Sequence, residues 1–271
     1  MALAILIAAA APLLMLKNQV CPLSRTISVI KKKQPAPALD INAARTNLLQ
    51  YLKLRKDSLA LIEIEKVLSV KPDDSTALWG KAEALRRNYQ FKESEELLNL
   101  VLSKYPCHAS SLISLSYIRY HDNRFEDALE LLRRVLSGPE LDRENEALAY
   151  MLIGSINAKK ASLGGFLSKV VYATRIRSYF EKAKNIAPDL SEVHLGLGSF
   201  YLLAPWIVGG SLDKAIKELE IAVRLTPDFA TANMRLAQAY NKKGDLGKYN
   251  FYLQRAKELD PDNELLKEFR D

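Results

Sequence analysis

Two cysteines and three histidines are the residues of this 271-residue chain best suited to metal binding or nucleophilic chemistry, and their spacing argues against both. Cys21 and Cys107 lie far apart, so neither a disulfide framework nor a zinc site has enough thiols at ligand spacing. Cys107-His108 is an isolated dipeptide, and His121 and His194 stand alone. All three histidines are expected at the surface without a chemical role. The serine-rich stretch SSLISLSY, residues 110–117, has no histidine motif beyond His108 and His121, and its serines recur at helical spacing as small residues. The Gly-Gly pairs at 164–165 and 209–210 lack a preceding strand and a GK[ST] ending, so they are not phosphate loops of that type. Catalysis needs a nucleophile with its base, a carboxylate pair in a pocket, or a bound metal or cofactor. The sequence therefore predicts no enzyme, no metal and no cofactor.

Composition points to a folded protein, with 48% hydrophobic and 26% charged residues. The net charge of +7 divides unevenly. Residues 1–40 hold five basic residues against Asp40, or +4, and the other 34 basic and 31 acidic residues give +3. Acidic residues are interleaved with basic ones throughout, so a nucleic-acid partner is not expected. Residues 2–16 are continuously apolar and would span about 22 Å as a helix, shorter than a membrane core but within the range of a signal-peptide apolar segment. Residues 1–40 thus read as an apolar leader or membrane anchor followed by a basic linker, KKKQPAPALD. That favours a membrane-associated or exported protein, leaning extracytoplasmic. The basic residues after the apolar run support the alternative of an anchor whose C-terminal part faces the cytoplasm.

Prolines 72, 106, 188, 227 and 261 each follow a helical stretch, and 72 to 106 and 227 to 261 are both 34 residues. Proline stops one helix, and an Asp or Asn after it can start the next. Small and aromatic residues recur with this period: Ala237, Tyr240, Ala256 and Pro261 in one unit, Gly198, Tyr201, Ala215, Ala222 and Pro227 in the unit before. Tyr51, Ala60 and Pro72 match in the first. This pattern resembles the tetratricopeptide repeat family. The resemblance implies an all-α fold, an α-solenoid of six hairpins at 41–74, 75–108, 109–142, 143–190, 191–229 and 230–261. A final helical cap follows, so that the solenoid fills 41–271. Tyr249 stands where the family prefers Ala, which predicts a splayed last hairpin.

The fourth and fifth hairpins exceed the template by about ten and about five residues. Each surplus carries a Gly-Gly pair expected to double the chain back tightly. Insertions in adjacent hairpins emerge at one edge, so Phe166 can meet Pro205, Trp206, Ile207 and Val208. These residues either pack on each other as a small private core or form an apolar patch for a partner, with Lys159, Lys160, Lys169, Arg175 and Arg177 as a basic border. Glycine-interrupted hairpins in a membrane-tethered repeat protein also resemble, more weakly, the helical T components of some transporters.

The resemblance further implies that positions 2, 5, 9 and 12 of each first helix face a concave groove. Carried onto this chain, these include Arg45, Trp79, Arg86, Ile113, Tyr117, Tyr120, Met151 and Leu195. Leu49, Leu52, Glu83, Ser155, Ser199, Met234, Gln238 and Asn241 complete the set. Aromatic anchors with a basic rim suit an extended or helical peptide carrying apolar and some acidic side chains. Leu49 replaces the Asn that a carboxylate clamp requires, so that activity is not implied. The expected function is a non-catalytic scaffold binding a protein or peptide in the groove. An accessory ligand-handling component of a transport system and a self-assembling homo-oligomer are the alternatives.

Overall fold

The protein's computed structural model describes residues 40–139, 141–164 and 166–269, except for the side chains of 166–171, 173, 174 and 267–269. The expected leader or anchor and most of its linker lie outside them. Residues 39–271 form one compact unit. Every element among the described residues is helical. The pairs are α1 (Ile41–Lys53) with α2 (Asp57–Val70), α3 (Ser75–Arg87) with α4 (Phe91–Lys104), and α5 (Ala109–His121) with α6 (Phe125–Leu136). Then come α7 (Arg143–Leu163) with α8 (Phe166–Ile186), α9 (Ser191–Leu203) with α10 (Leu212–Leu225), and α11 (Ala230–Lys243) with α12 (Leu246–Leu259). They are the six stacked hairpins of an α-solenoid. None of these helices is long and apolar enough to cross a membrane.

Two devices repeat along the stack. Within a hairpin, the first helix ends on a left-handed residue: Arg55, Tyr89 and Asn123, each with φ near 60°, and Gly244 with φ 82°. The following amide closes the turn, from Lys56 N to Tyr51 O at 2.9 Å and from Gln90 N to Leu85 O at 3.0 Å. Such a closure satisfies carbonyls that the helix end leaves free. Between hairpins, the side chain two residues after the proline caps the next helix: Asp74 accepts from Ala77 N at 3.0 Å and His108 from Ser111 N at 3.2 Å. The aspartates directly after proline have a different job from the one the sequence suggests. Asp189 pairs with Arg143 and Asp228 with Arg255, while Leu190 and Phe229 begin α9 and α11 without side-chain caps.

The core is a row of close helix crossings. Ala60, Ala128, Ala183, Ala215 and Ala256 are fully buried, as are Ala77, Ala147 and Ala237. Phe180 lies between the fourth and fifth hairpins over two glycines. A Cβ added to Gly154 would sit 3.0 Å from its Cε1, and one added to Gly196 only 2.8 Å away. The last hairpin is not splayed, because Tyr240 and Tyr252 stack at 5.8 Å and Ala237 and Ala256 remain buried, leaving Tyr249 half-buried. The terminal cap is a 3-10 segment, Glu264–Phe269, whose Leu266 packs on Met234 and Leu253.

The two surplus segments are built differently. In the fourth hairpin the expected inserted connection does not exist as a loop. Helices α7 and α8 run on to 21 residues each, against 13 in α9 and 14 in α10. The extra sequence holds no proline and keeps good helix formers, so the pair lengthens at its tip. In the fifth, Pro205 follows the end of α9, and residues Trp206–Val208 form one 3-10 turn. Gly209 then takes φ 100°, and a Cβ on Gly210 would lie 1.9 Å from Ala204 O. The segment closes with Ser211 N donating to Tyr201 O at 2.9 Å.

Replacing Gly196 with Ala should destabilise the fold by about 1–3 kcal/mol in urea denaturation, because the new methyl overlaps the Phe180 ring. Adding Phe180→Leu should recover part of that loss. Equal losses for the double variant and the sum of the singles would contradict this packing.

Candidate functional site

Curvature of the stack brings its first helices around one cavity of about 1360 Å³. Trp79, Arg86, Ile113, Tyr117, Tyr120, Met151 and Leu195 line it, each on the inner face of α3, α5, α7 or α9. Arg45 does not. Its guanidinium pairs with Asp74, the residue capping α3, and is held outside the lining. Met234 is wholly buried in the core, and Gln238 and Asn241 are also absent from the cavity wall. On α11 the cavity is met by Thr231 and Arg235 instead, while Met234 packs with Leu253 and Leu266.

The basic side of the cavity is organised by one carboxylate. Glu83 accepts from Arg86 Nη2 at 2.6 Å and Nε at 3.0 Å, from Arg87 Nε at 3.0 Å, and from Ser114 Oγ at 2.8 Å. Trp79 Nε1 donates to the same Ser114 Oγ at 3.1 Å. Arg86 then lies over the Tyr117 ring at 4.5 Å, and Arg87 donates to Asp57 and to Leu52 O. Burial disfavours the Glu83 charge, but the Arg86 and Arg87 charges outweigh it and hold the carboxyl far below the usual range. Burial also pushes the Tyr117 phenol up, more than the nearby Arg86 lowers it.

Sequence reasoning missed the groups that reach across the cavity. Arg55, the left-handed residue between α1 and α2, donates from Nη2 to Glu192 on α9 at 2.7 Å and lies over the Phe229 ring at 4.0 Å. Its Nε is buried without a hydrogen-bond partner. Lys53 meets Glu144 at 2.7 Å, Tyr89 donates to Asp260 at 2.9 Å, and His121 donates to Glu264 at 3.2 Å. These ties join the first three hairpins to the last three and enclose the cavity. No helical period marks Arg55, because it sits in a turn; only its distance of 34 residues from Tyr89 flags it. The histidines likewise have roles the sequence did not predict. His194 is buried, bonded to Glu218 at 2.6 Å and donating to Pro188 O at 2.8 Å, while His108 is a helix cap.

The fifth-hairpin segment divides at the cavity rim. Pro205 and Val208 line the opening, whereas Trp206 is 85% exposed and Ile207 61%. Trp206 and Ile207 therefore form no private core. Phe166 begins α8, and its side chain lies outside the description.

Glu83→Ala should cost about 3–5 kcal/mol in urea denaturation, since it leaves Arg86 and Arg87 buried beside each other. The Arg55–Glu192 tie has an acid limit. Burial opposes the Glu192 charge, but Arg55 holds its folded-state value below the ordinary one. Its contribution is then complete above about pH 4.3 and disappears as pH falls through the depressed value. The urea midpoints of the native chain and Glu192→Gln should differ most near neutrality and converge in acid; a constant difference would show that the ionised pair is not what stabilises the closure.

Known proteins share this architecture. Residues 209–264 match the family model described as Tetratricopeptide repeat. A curated relative, the DnaJ homolog subfamily C member 7 homolog of Dictyostelium discoideum, is 25% identical over 251 residues, covering 93% of this chain. The chain spans only 43% of that relative's length. Among solved structures, the human IFIT1 dimer with m7Gppp-AAAA superposes with TM-score 0.59 at 17% identity, over 80% of this chain and 50% of that one. The type IV pilus biogenesis factor PilW gives TM-score 0.51 at 16% identity, over 85% and 98%. At these identities the structural likeness is one of fold. Residues 209–264 thus match a tetratricopeptide repeat model, and the six stacked hairpins share the helical-solenoid fold of these structures.

Proposed function

We propose that this chain is a non-catalytic scaffold that holds a segment of a protein partner inside its first-helix cavity. The observation that carries the reading is the wall itself. Trp79, Ile113, Tyr117, Tyr120, Met151 and Leu195, from four successive hairpins, converge on one space large enough for several side chains. Aromatic and Met side chains supply area and adaptability, and are characteristic anchors at protein interfaces. At the Glu83 end Arg55 brings a buried guanidinium with an unused donor, so an acidic side chain or chain terminus of the partner would complete its hydrogen bonding. The partner segment is therefore apolar with an acidic end. The repeat match at residues 209–264 supports protein binding in general, and the cavity chemistry supports the finer reading.

The cross-cavity ties favour a second reading. Lys53–Glu144 and Arg55–Glu192 close the space on one side, and Pro205 and Val208 border it on another. A partly enclosed, largely apolar cavity also fits a small amphipathic ligand, as in an accessory component of a transport system. Native mass spectrometry of the purified chain distinguishes the two, because a retained small molecule adds a discrete mass.

Peptides selected on the purified chain from a random library should share apolar residues beside an Asp, a Glu or a free C-terminus. Met151→Glu and Tyr117→Ala should each weaken the selected peptides by about tenfold or more in calorimetric titration, as for central interface residues. Arg45→Ala, which lies outside the cavity wall, should leave affinity unchanged. Peptides that bind equally well to all three variants would place the interaction elsewhere and overturn the reading.

A further inference from the structure

The positive charge of the solenoid is concentrated in one place. Residues 152–177, the distal part of the α7–α8 hairpin, carry five Lys and Arg and no Asp or Glu, or +5. Residues 41–271 total 34 − 31 = +3, so the solenoid outside residues 152–177 sums to 3 − 5 = −2. Interleaving of acidic and basic residues, true of the chain at large, fails here.

Geometry makes the concentration prominent. Helices α7 and α8 exceed α9 and α10 by eight and seven residues, so their shared tip projects about 10 Å beyond the next hairpin. The 3-10 turn Trp206–Val208 packs against α8, with Arg177 Nη1 3.4 Å from the position of a Cβ on Gly209. Around this end Trp206, Ile207, Leu203 and Leu163 are all more than half exposed, and Lys159, Lys160 and Arg175 are exposed beside them. Exposed aliphatic residues with one Trp beside a basic projection present both terms of interfacial membrane binding. Apolar side chains enter the headgroup and acyl boundary, and Lys and Arg are drawn to anionic lipid. A Trp ring, apolar in body with one N–H, is suited to that depth. A nucleic-acid strand would instead call for several stacking rings along a basic groove.

We propose that this end of the solenoid docks on an anionic bilayer surface, with Trp206 and Ile207 inserted at the boundary and Lys159 and Arg175 facing lipid headgroups, while Lys160 remains paired with Glu126. This contact is separate from the cavity reading and from any anchoring by residues 2–16. Because Ala158, Lys159, Ser162, Pro205 and Val208 also line the cavity, docking turns that opening toward the membrane.

The test follows Trp206 fluorescence in the full chain, taken as the Trp79→Phe variant and, should that variant fold poorly, as the difference between the native chain and Trp206→Phe. Phosphatidylcholine vesicles containing phosphatidylglycerol should shift the emission to shorter wavelength, and brominated acyl chains should quench it. Vesicles of phosphatidylcholine alone should do neither. Lys159→Glu combined with Arg175→Glu should weaken vesicle binding of this edge by about tenfold or more without lowering the thermal transition. A vesicle-bound chain whose Trp206 still emits as a water-exposed, unquenched indole would overturn the proposal, because residues 2–16 alone would then be holding it. A shift produced by single-stranded RNA and not by vesicles would overturn it in favour of nucleic acid. A fall in particle mass on Trp206→Glu without vesicles would assign the edge to a second copy of the chain.

Discussion

A pair of helices 13 or 14 residues long cannot bury its apolar faces alone, and the whole architecture answers that constraint. Each hairpin must lie on the next, and the helices can approach closely only where side chains are small. Alanines therefore fill the crossings, and at Gly154 and Gly196 even a methyl group would overlap Phe180. The same spacing repeats the left-handed turn residue every 34 positions, from Arg55 through Tyr89 to Asn123. Most side chains do not favour that conformation, so its recurrence at non-glycine residues shows how firmly the surrounding packing imposes the turn.

Stacking with a constant offset also curves the array, and the curvature creates the cavity. Its polar end is a balanced set of buried charges, Arg55, Arg86 and Arg87 against Glu83, Glu192 and Asp57. Buried ion pairs give little net stability, because desolvation offsets much of their attraction, yet they fix geometry closely. Here Glu83 sets the orientation of two arginines, Ser114 and Trp79 together, while Arg55 draws the first hairpin toward the fifth. The cavity wall and its closure thus depend on one network, which holds their side chains in fixed positions.

The two enlarged hairpins show how one departure from the repeat yields different structures. Surplus residues with helical propensity lengthened α7 and α8, whereas Pro205 ended α9 and forced its surplus into a 3-10 turn. Together they make an edge unlike the rest of the surface, with a charge of its own and apolar side chains left in solvent.

The number of hairpins, their boundaries and their small-residue crossings were legible in the sequence, because each follows from local rules: proline stops a helix, and close packing demands Ala or Gly at a fixed period. Most inward residues of α3, α5, α7 and α9 were legible for the same reason, since helical periodicity assigns a face. Periodicity could not say where that face ends up. Arg45 was drawn to the cap of the next helix and Met234 into the core, while Arg55, Glu192 and Phe229, from a turn and two helix starts 137 or more residues apart from the first, were brought together. Such meetings depend on the accumulated angle between successive hairpins, a small rotation per repeat that no local stretch of sequence encodes. The repeat is written in the residues, but the closure of the cavity and the exposure of Trp206 were decided only by how the repeats add up in three dimensions.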